Sequence, residues 1–207
     1  MTDEHSDLGP WDPLMPSEIA TLFATYAGRW CIAGGWALDL FVSVQSRVHD
    51  DIDVLIVRDD LTMLHAALPG WELHAAHGTL TLWQAGTDLP DEMHDIWCRQ
   101  RIGQGDSPWK FQFMITDVDH ETEEWIFRRD TRIRGPLSTM TLVRDGMPIL
   151  APEIQLLYKS KLPNRPKDEA DFVTATPYLS AMQRDWLANA TTLLSPDHPW
   201  LRTLRPE

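Results

Sequence analysis

Gly34-Gly35-Trp36-Ala37-Leu38-Asp39 and, further on, Arg47-Val48-His49-Asp50-Asp51-Ile52-Asp53-Val54-Leu55-Ile56-Val57 decide how this chain is read. In an extended strand, residues i and i+2 point to the same face, so Asp51 and Asp53 project side by side at the mouth of an apolar run. Two carboxylates crowded on one face repel each other unless a cation lies between them. Mg²⁺ is the natural cation for bare carboxylates, because it keeps positions open for phosphate oxygens. Gly34-Gly35 supplies a turn where backbone can approach a ligand closely. A helix starting there presents free N–H groups that favour an anion. A metal-binding pair beside a phosphate-binding turn is equipment for nucleotide chemistry. The stretch between them is long enough for a helix that returns the chain to a neighbouring strand, which separates this pair from a chance Asp-x-Asp. An EF-hand loop is excluded, because no Gly or terminal Glu falls at the required positions. Asp50 is out of phase with the pair, and His49 reads as a strand-edge histidine.

Working outward, residues 1–15 are acidic and Pro-rich and read as a loose tail. Pro16-Ser17 opens a helix with Ile19, Leu22, Phe23 and Tyr26 on one stripe. Trp30–Ala33 is a short strand entering the double glycine, and Asp51–Val57 is a central strand, apolar on both faces. Asp59 and Asp60 suit the cap of a helix running to Leu68. Strands are expected at Trp71–Ala75, Thr79–Ala85, His94–Gln100, Lys110–Asp117 and Glu124–Arg129. A hairpin loop is expected at Gly103–Asp106, and another hairpin at Asp145-Gly146. From Pro152 the chain turns helical, with further helices from Pro166 and from Ser180. The expected fold is α/β (α+β): a mixed central sheet flanked by helices over residues 16–150, then a helical C-terminal region over 151–207.

Gly-Gly, a short helix and Asp-x-Asp on a strand resemble the signature of the polymerase-beta-like nucleotidyltransferases. The wording GGWALD…HDDIDV is similar to the aminoglycoside 2''-adenylyltransferase branch and its bacterial relatives, and APEIQLLYKSK…RPKDEADF at 151–172 extends the resemblance. The resemblance implies a nucleotidyltransferase fold, and a reaction in which two Mg²⁺ ions assist transfer of a nucleoside monophosphate, most simply AMP from ATP, to an acceptor hydroxyl with release of pyrophosphate. Such chemistry wants a third carboxylate that binds the catalytic metal and helps deprotonate the acceptor. Asp117, at the exit of Phe111–Asp117, is the preferred candidate; Asp119 shares its face, and Asp95 is the rival. Lys159, Lys161, Arg165 and Lys167 form the densest basic cluster, with Lys161 and Lys167 as candidate triphosphate contacts beside Gly34 and Gly35. Arg128, Arg129, Arg132 and Arg134 read as a surface ion-pair ladder.

The chain has 207 residues, 43% of them hydrophobic, so a packed core rather than disorder is expected. Most of the ten Trp should serve that core, with some left for a ligand groove. A net charge of −13 argues against non-specific nucleic-acid binding and against an anionic membrane surface. It suits a small hydroxyl acceptor that is cationic, such as an aminoglycoside. Cys31 and Cys98 read as buried, reduced thiols, and with neither a secretory segment nor a long apolar run the expected location is cytoplasmic. Two other functions compete. A metal-dependent phosphohydrolase would use His49-Asp50 and His94-Asp95, but such ligands normally sit on helices. A non-catalytic or toxin–antitoxin-type protein of the same fold would act through a protein or RNA partner, and the intact acidic pair counts against it.

Overall fold

The computed structural model describes residues 8–101, 107–161 and 165–205. Ten strands carry the architecture: β1 (Trp30–Ala33), β2 (Asp53–Val57), β3 (Trp71–Ala76), β4 (Leu80–Leu82), β5 (Asp95–Gln100), β6 (Phe111–Asp119), β7 (Glu124–Ile126), β8 (Arg134–Pro136), β9 (Thr141–Arg144) and β10 (Met147–Leu150). Their order is β4-β3-β5-β6-β2-β1-β10-β9, with β7 and β8 continuing from β6. The sheet is mixed: β2–β6 and β1–β10 are parallel and the other neighbours antiparallel. The helices are α1 (Pro16–Leu22), α2 (Gly34–Val42), α3 (Leu64–Ala67), α4 (Pro152–Lys159), α5 (Pro166–Ala175), α6 (Ala181–Leu194) and α7 (Leu201–Leu204). This is the expected mixed sheet with flanking helices and a helical C-terminal region.

β2 is the anchor. Val54, Leu55, Ile56 and Val57 are all buried, and burying such a side chain contributes about 1.5–3 kcal/mol. The strand is therefore held by its apolar body, while its polar first residue, Asp53, stays at the rim. β2 begins at Asp53 rather than Asp51; the pairing with β6 reaches back only through the Ile52 carbonyl, which accepts from Gln112. α2 packs on α4 and α5, so the C-terminal helices sit against the start of the glycine motif. Six of the ten Trp are buried. Cys31 and Cys98 are buried and unpaired, and burial pushes both thiols up.

Local signals mostly hold. Asp145 (φ +50°) and Gly146 (φ +77°) make the two-residue turn of the β9–β10 hairpin, and Ser180 caps α6 with Gln183 in a reciprocal box. Two expectations change. Asp60 does not cap a helix: its carboxylate accepts the Arg29 N–H at 2.7 Å, and the segment winds as a 3₁₀ turn over Arg58–Met63 before α3. Residues 8–15 are not loose, because Asp12 and Leu14 donate to the Trp109 and Lys110 carbonyls, and the Trp109 indole donates to Leu8. The expected hairpin loop at Gly103–Asp106 lies outside the described residues. Among the described residues, no helix is long and apolar enough to cross a membrane.

Candidate functional site

β1 ends at Ala33 and α2 begins at Gly34, so the chain turns from strand to helix with no loop between. Gly34 has φ of +67°, and a Cβ there would come within 2.0 Å of Asp53 Oδ2. Only glycine lets this turn lie against the carboxylate. The Gly34 N–H is not left open for an anion: it donates to Gln155 Oε1 at 2.7 Å, from the buried face of α4. Gly35 faces elsewhere, against Arg47 Nη2 and the His49 ring. The two glycines therefore divide their work, and Gly35 is a packing position rather than a lining residue of the cavity described next.

That cavity, about 740 Å³, opens beside Gly34 and Asp53. Strand register explains its floor. Asp53 is level with Gln112, and Gln112 with Trp97, in one row across β2, β6 and β5; Met114 is level with Asp95 in the next row. Alternation puts Asp95 and Trp97, Gln112 and Met114 on one face, and all of them line the cavity together with Asp53. Gln112 Nε2 donates to Asp53 Oδ1 at 2.5 Å. The Asp53 carboxyl is nonetheless pushed up to about 7, first by removal from water and then by the Asp51 charge, against the opposing pull of Gln112 and Lys159. Asp51 precedes the strand and is half-buried.

The structure brings Asp95 to this floor and does not bring Asp117. Asp117 lies five positions beyond Gln112, roughly 16 Å along β6 at about 3.3 Å per residue, and in phase with the core residues Phe111, Phe113 and Ile115. Its carboxylate is taken by Arg58 Nε at 2.5 Å. Asp119 is farther still, held by Arg134 and by the Glu121 and Thr122 N–H groups. β6 runs parallel to β2, so its exit lies at the opposite end from Asp53.

The cavity's charge opposes that of the chain. Arg128, Arg129, Lys159, Lys161 and Arg165 line it against the acids Asp53, Asp95 and Asp168. Lys161 is thus at the cavity, whereas Lys167, in the first turn of α5, does not line it. The arginine run splits. Arg132 pairs with Asp130 and Arg134 with Asp119 and Glu124, as a surface ladder would. Arg128 instead turns into the cavity, 3.3 Å from Asp95 Oδ2, and Arg129 donates to the Tyr158 carbonyl at 2.8 Å. Sequence reasoning missed Gln155 as well. Its signal was a polar residue inside α4, a helix buried nearly all round, where a polar group needs a partner.

Behind the floor lies a second polar layer. Asp39 on α2 accepts from Ser46 Oγ at 2.6 Å and meets His49 Nε2 at 2.6 Å; the imidazole rests on the Trp36 ring at 4.4 Å between centroids. His49 is therefore a buried strut of the loop before Asp51, not a strand-edge residue. Arg47 makes a two-pronged pair with the buried Asp171, at 2.9 and 3.1 Å, and Lys159 Nζ reaches the same carboxylate at 2.7 Å.

Among the described residues, no three His, Cys, Asp or Glu stand together as a ready-made metal cluster. The pair at the β2 mouth still fits a divalent cation in its chemistry. Removal from water and then the Asp51 charge raise the Asp53 carboxyl, and the side chain donating to Asp53 is the neutral Gln112 amide.

Comparison with known proteins agrees with this architecture. The sequence family described as aminoglycoside-2''-adenylyltransferase matches residues 17–76, from α1 through β3. No curated protein matches the chain in sequence. A lincomycin-bound crystal structure of the lincosamide antibiotic adenylyltransferase LnuA superposes with a TM-score of 0.56 at 13% identity, covering 81% of this chain and 100% of that one. ANT(2")-Ia in complex with adenylyl-2"-tobramycin gives 0.51 at 15% identity over 86% of this chain and 96% of that one. Its solution structure gives 0.53 at 15% identity over 91% and 97%. The fold is the one these adenylyltransferase structures share, and the family match lies in the part of the chain that carries the glycine turn and the acidic pair.

Proposed function

We propose that the chain is an Mg²⁺-dependent nucleotidyltransferase that moves a nucleoside monophosphate, AMP from ATP in the simplest case, to a hydroxyl of a small-molecule acceptor. One observation carries the reading: Gly34, Asp53 and Asp95 meet at a cavity whose other charged walls are mostly cationic, in a chain of net charge −13. A polyanion bound with a divalent cation satisfies both halves of that cavity. Asp51 and Asp53 would hold Mg²⁺, and Asp95 takes the place expected of Asp117 as third carboxylate. When bound, the metal would supply charge neutralisation at the phosphate and at the leaving pyrophosphate. The chain's own residues do the rest. Gln155 fixes the Gly34 turn, Gln112 orients Asp53, and Lys161 with Arg165 faces the phosphates. Asp95, held by Arg128 until substrate arrives, accepts the proton of the attacking hydroxyl.

The relatives' names support a small hydroxylated antibiotic as acceptor, an aminoglycoside or a lincosamide. The test is mass spectrometry of acceptor panels incubated with ATP and Mg²⁺, with pyrophosphate release followed in parallel. A Mg²⁺-dependent AMP adduct, absent with Asp53→Asn, is expected. ATP binding that ignores Mg²⁺, with no adduct on any hydroxyl acceptor, would sink the proposal in favour of a non-catalytic protein of this fold.

A further inference from the structure

Two cations stand beside the acidic pair. Lys159 lines the same cavity as Asp53, and Arg47 precedes Asp51 on the same loop with its Nη2 against Gly35; the Lys159 charge also opposes the rise of the Asp53 carboxyl, and the Asp51 charge is felt at Arg47. Left free, an Arg or Lys beside a carboxylate pairs with it. Such pairing would neutralise Asp51 and Asp53 and leave a divalent cation nothing to bind. Among the described residues, neither cation makes that pair. Arg47 is turned onto Asp171 with both prongs, and Lys159 lies between Asp171 at 2.7 Å and Asp168 at 3.2 Å. Asp171 is buried, with 1% of its side chain exposed. It sits on α5, far from the motif in sequence, yet meets the loop that delivers Asp51. A buried carboxylate is costly unless paired, and here both its partners are the cations that could otherwise occupy the metal pair.

We propose that Asp171 is a positioning residue that sequesters Arg47 and Lys159, and so keeps the charge of Asp51 and Asp53 available to a divalent cation. Asp168 assists by holding Lys159 from its other side. The inference rests on the metal role given to the pair under the proposed function. It adds that metal affinity is set from the C-terminal helical region, by a residue that does not touch the metal.

The experiment is Mn²⁺ binding followed by electron paramagnetic resonance on the full chain, with and without ATP. Asp171→Asn should weaken Mn²⁺ about tenfold, as expected when a released guanidinium competes for the pair. The double variant Asp171→Asn/Arg47→Gln should recover most of that loss. A purely structural clasp predicts the reverse, since removing its second half can only loosen the loop further. Unchanged Mn²⁺ affinity in a folded Asp171→Asn overturns the inference, and so does a double variant that binds no better than the single one. Should Asp171→Asn fail to fold, Arg47→Gln alone decides: Mn²⁺ binding as tight as wild type or tighter supports sequestration, and weaker binding overturns it. The two readings fail separately. Mn²⁺ effects as described with no product from any acceptor would remove the transfer reaction and leave Asp171's role intact. Product formation with Mn²⁺ affinity indifferent to Asp171 would do the opposite. A wild-type chain that binds no Mn²⁺ overturns both.

Discussion

The two ends of the β2–β6 pair carry the same residue types and put them to opposite uses. At the start of β2, Asp53 receives a neutral amide from Gln112, and its cationic neighbours are engaged by other acids. At the far end, Asp117 receives a guanidinium, and Arg58 goes on to hold the Asp91 and Met93 carbonyls. One carboxylate is kept electrostatically short of partners and the other is fully engaged. An acid on an apolar strand thus says little by itself. The two ends differ in whether the fold spends a cation on the acid.

The strongest way to break this comparison is to remove the starved end. Asp53→Asn or Asp51→Asn should lower Mg²⁺-dependent transfer by about a hundredfold or more, because a group acting in the transition state is lost. Near-wild-type turnover in both variants would show that the pair is idle. Next in size, Asp95→Asn should cut kcat by about a hundredfold with little change in the KM for ATP, while Asp117→Asn leaves kcat within a few-fold. A reversal in steady-state kinetics would return the third carboxylate to the end of β6. The glycines sharpen the contrast locally. Gly34→Ala must place a side chain at φ +67°, costing about 1–2 kcal/mol, and its Cβ overlaps Asp53, so both Tm and transfer should fall. Gly35→Ala should lower Tm through Arg47 and His49, while calorimetric ATP affinity changes less than it does in Gly34→Ala.

The smallest effect is in stability against pH. The folded protein holds the Asp53 proton more tightly than the unfolded chain, whose carboxyl is near 3.8, against about 7 when folded. The resulting stabilisation is complete below the lower value and is lost as pH rises through the higher one. In metal-free buffer, the Tm of wild type should therefore fall between about pH 4 and 7 relative to Asp53→Asn, by a few degrees. Mg²⁺ added at neutral pH should release protons, which a pH-stat can count. Identical profiles for the two proteins would mean that Asp53 is already compensated.

The sequence made the glycine turn, the acidic pair and the strand after it legible, because all three obey local rules of turn geometry and period-two alternation. The helices after Pro152, Pro166 and Ser180 were legible for the same reason. Which of the later acids shares a cavity with Asp53 was not. Choosing between Asp95 and Asp117 requires knowing that β6 lies parallel to β2 and that β5 pairs against it, which is long-range information. Arg128 departs from the ladder expected of the four arginines because β7 ends at Ile126 and the chain turns before β8 begins at Arg134. Gln155 and Asp171 were passed over because their partners, Gly34 and Arg47, lie more than a hundred residues away.

The Gly34–Gln155 bond spans 121 positions, and this sets a schedule for the chain as it is made. When the glycine turn leaves the ribosome, the side chain that will fasten it has not been synthesised. The same is true of β10, which pairs with β1 at Ile32 and Ile149. Contacts of such separation form late and slowly. During translation, β1 and the turn after it are an open edge awaiting a strand and a helix from the far half of the sequence, and a chain paused before β10 is at greatest risk of pairing that edge with another molecule.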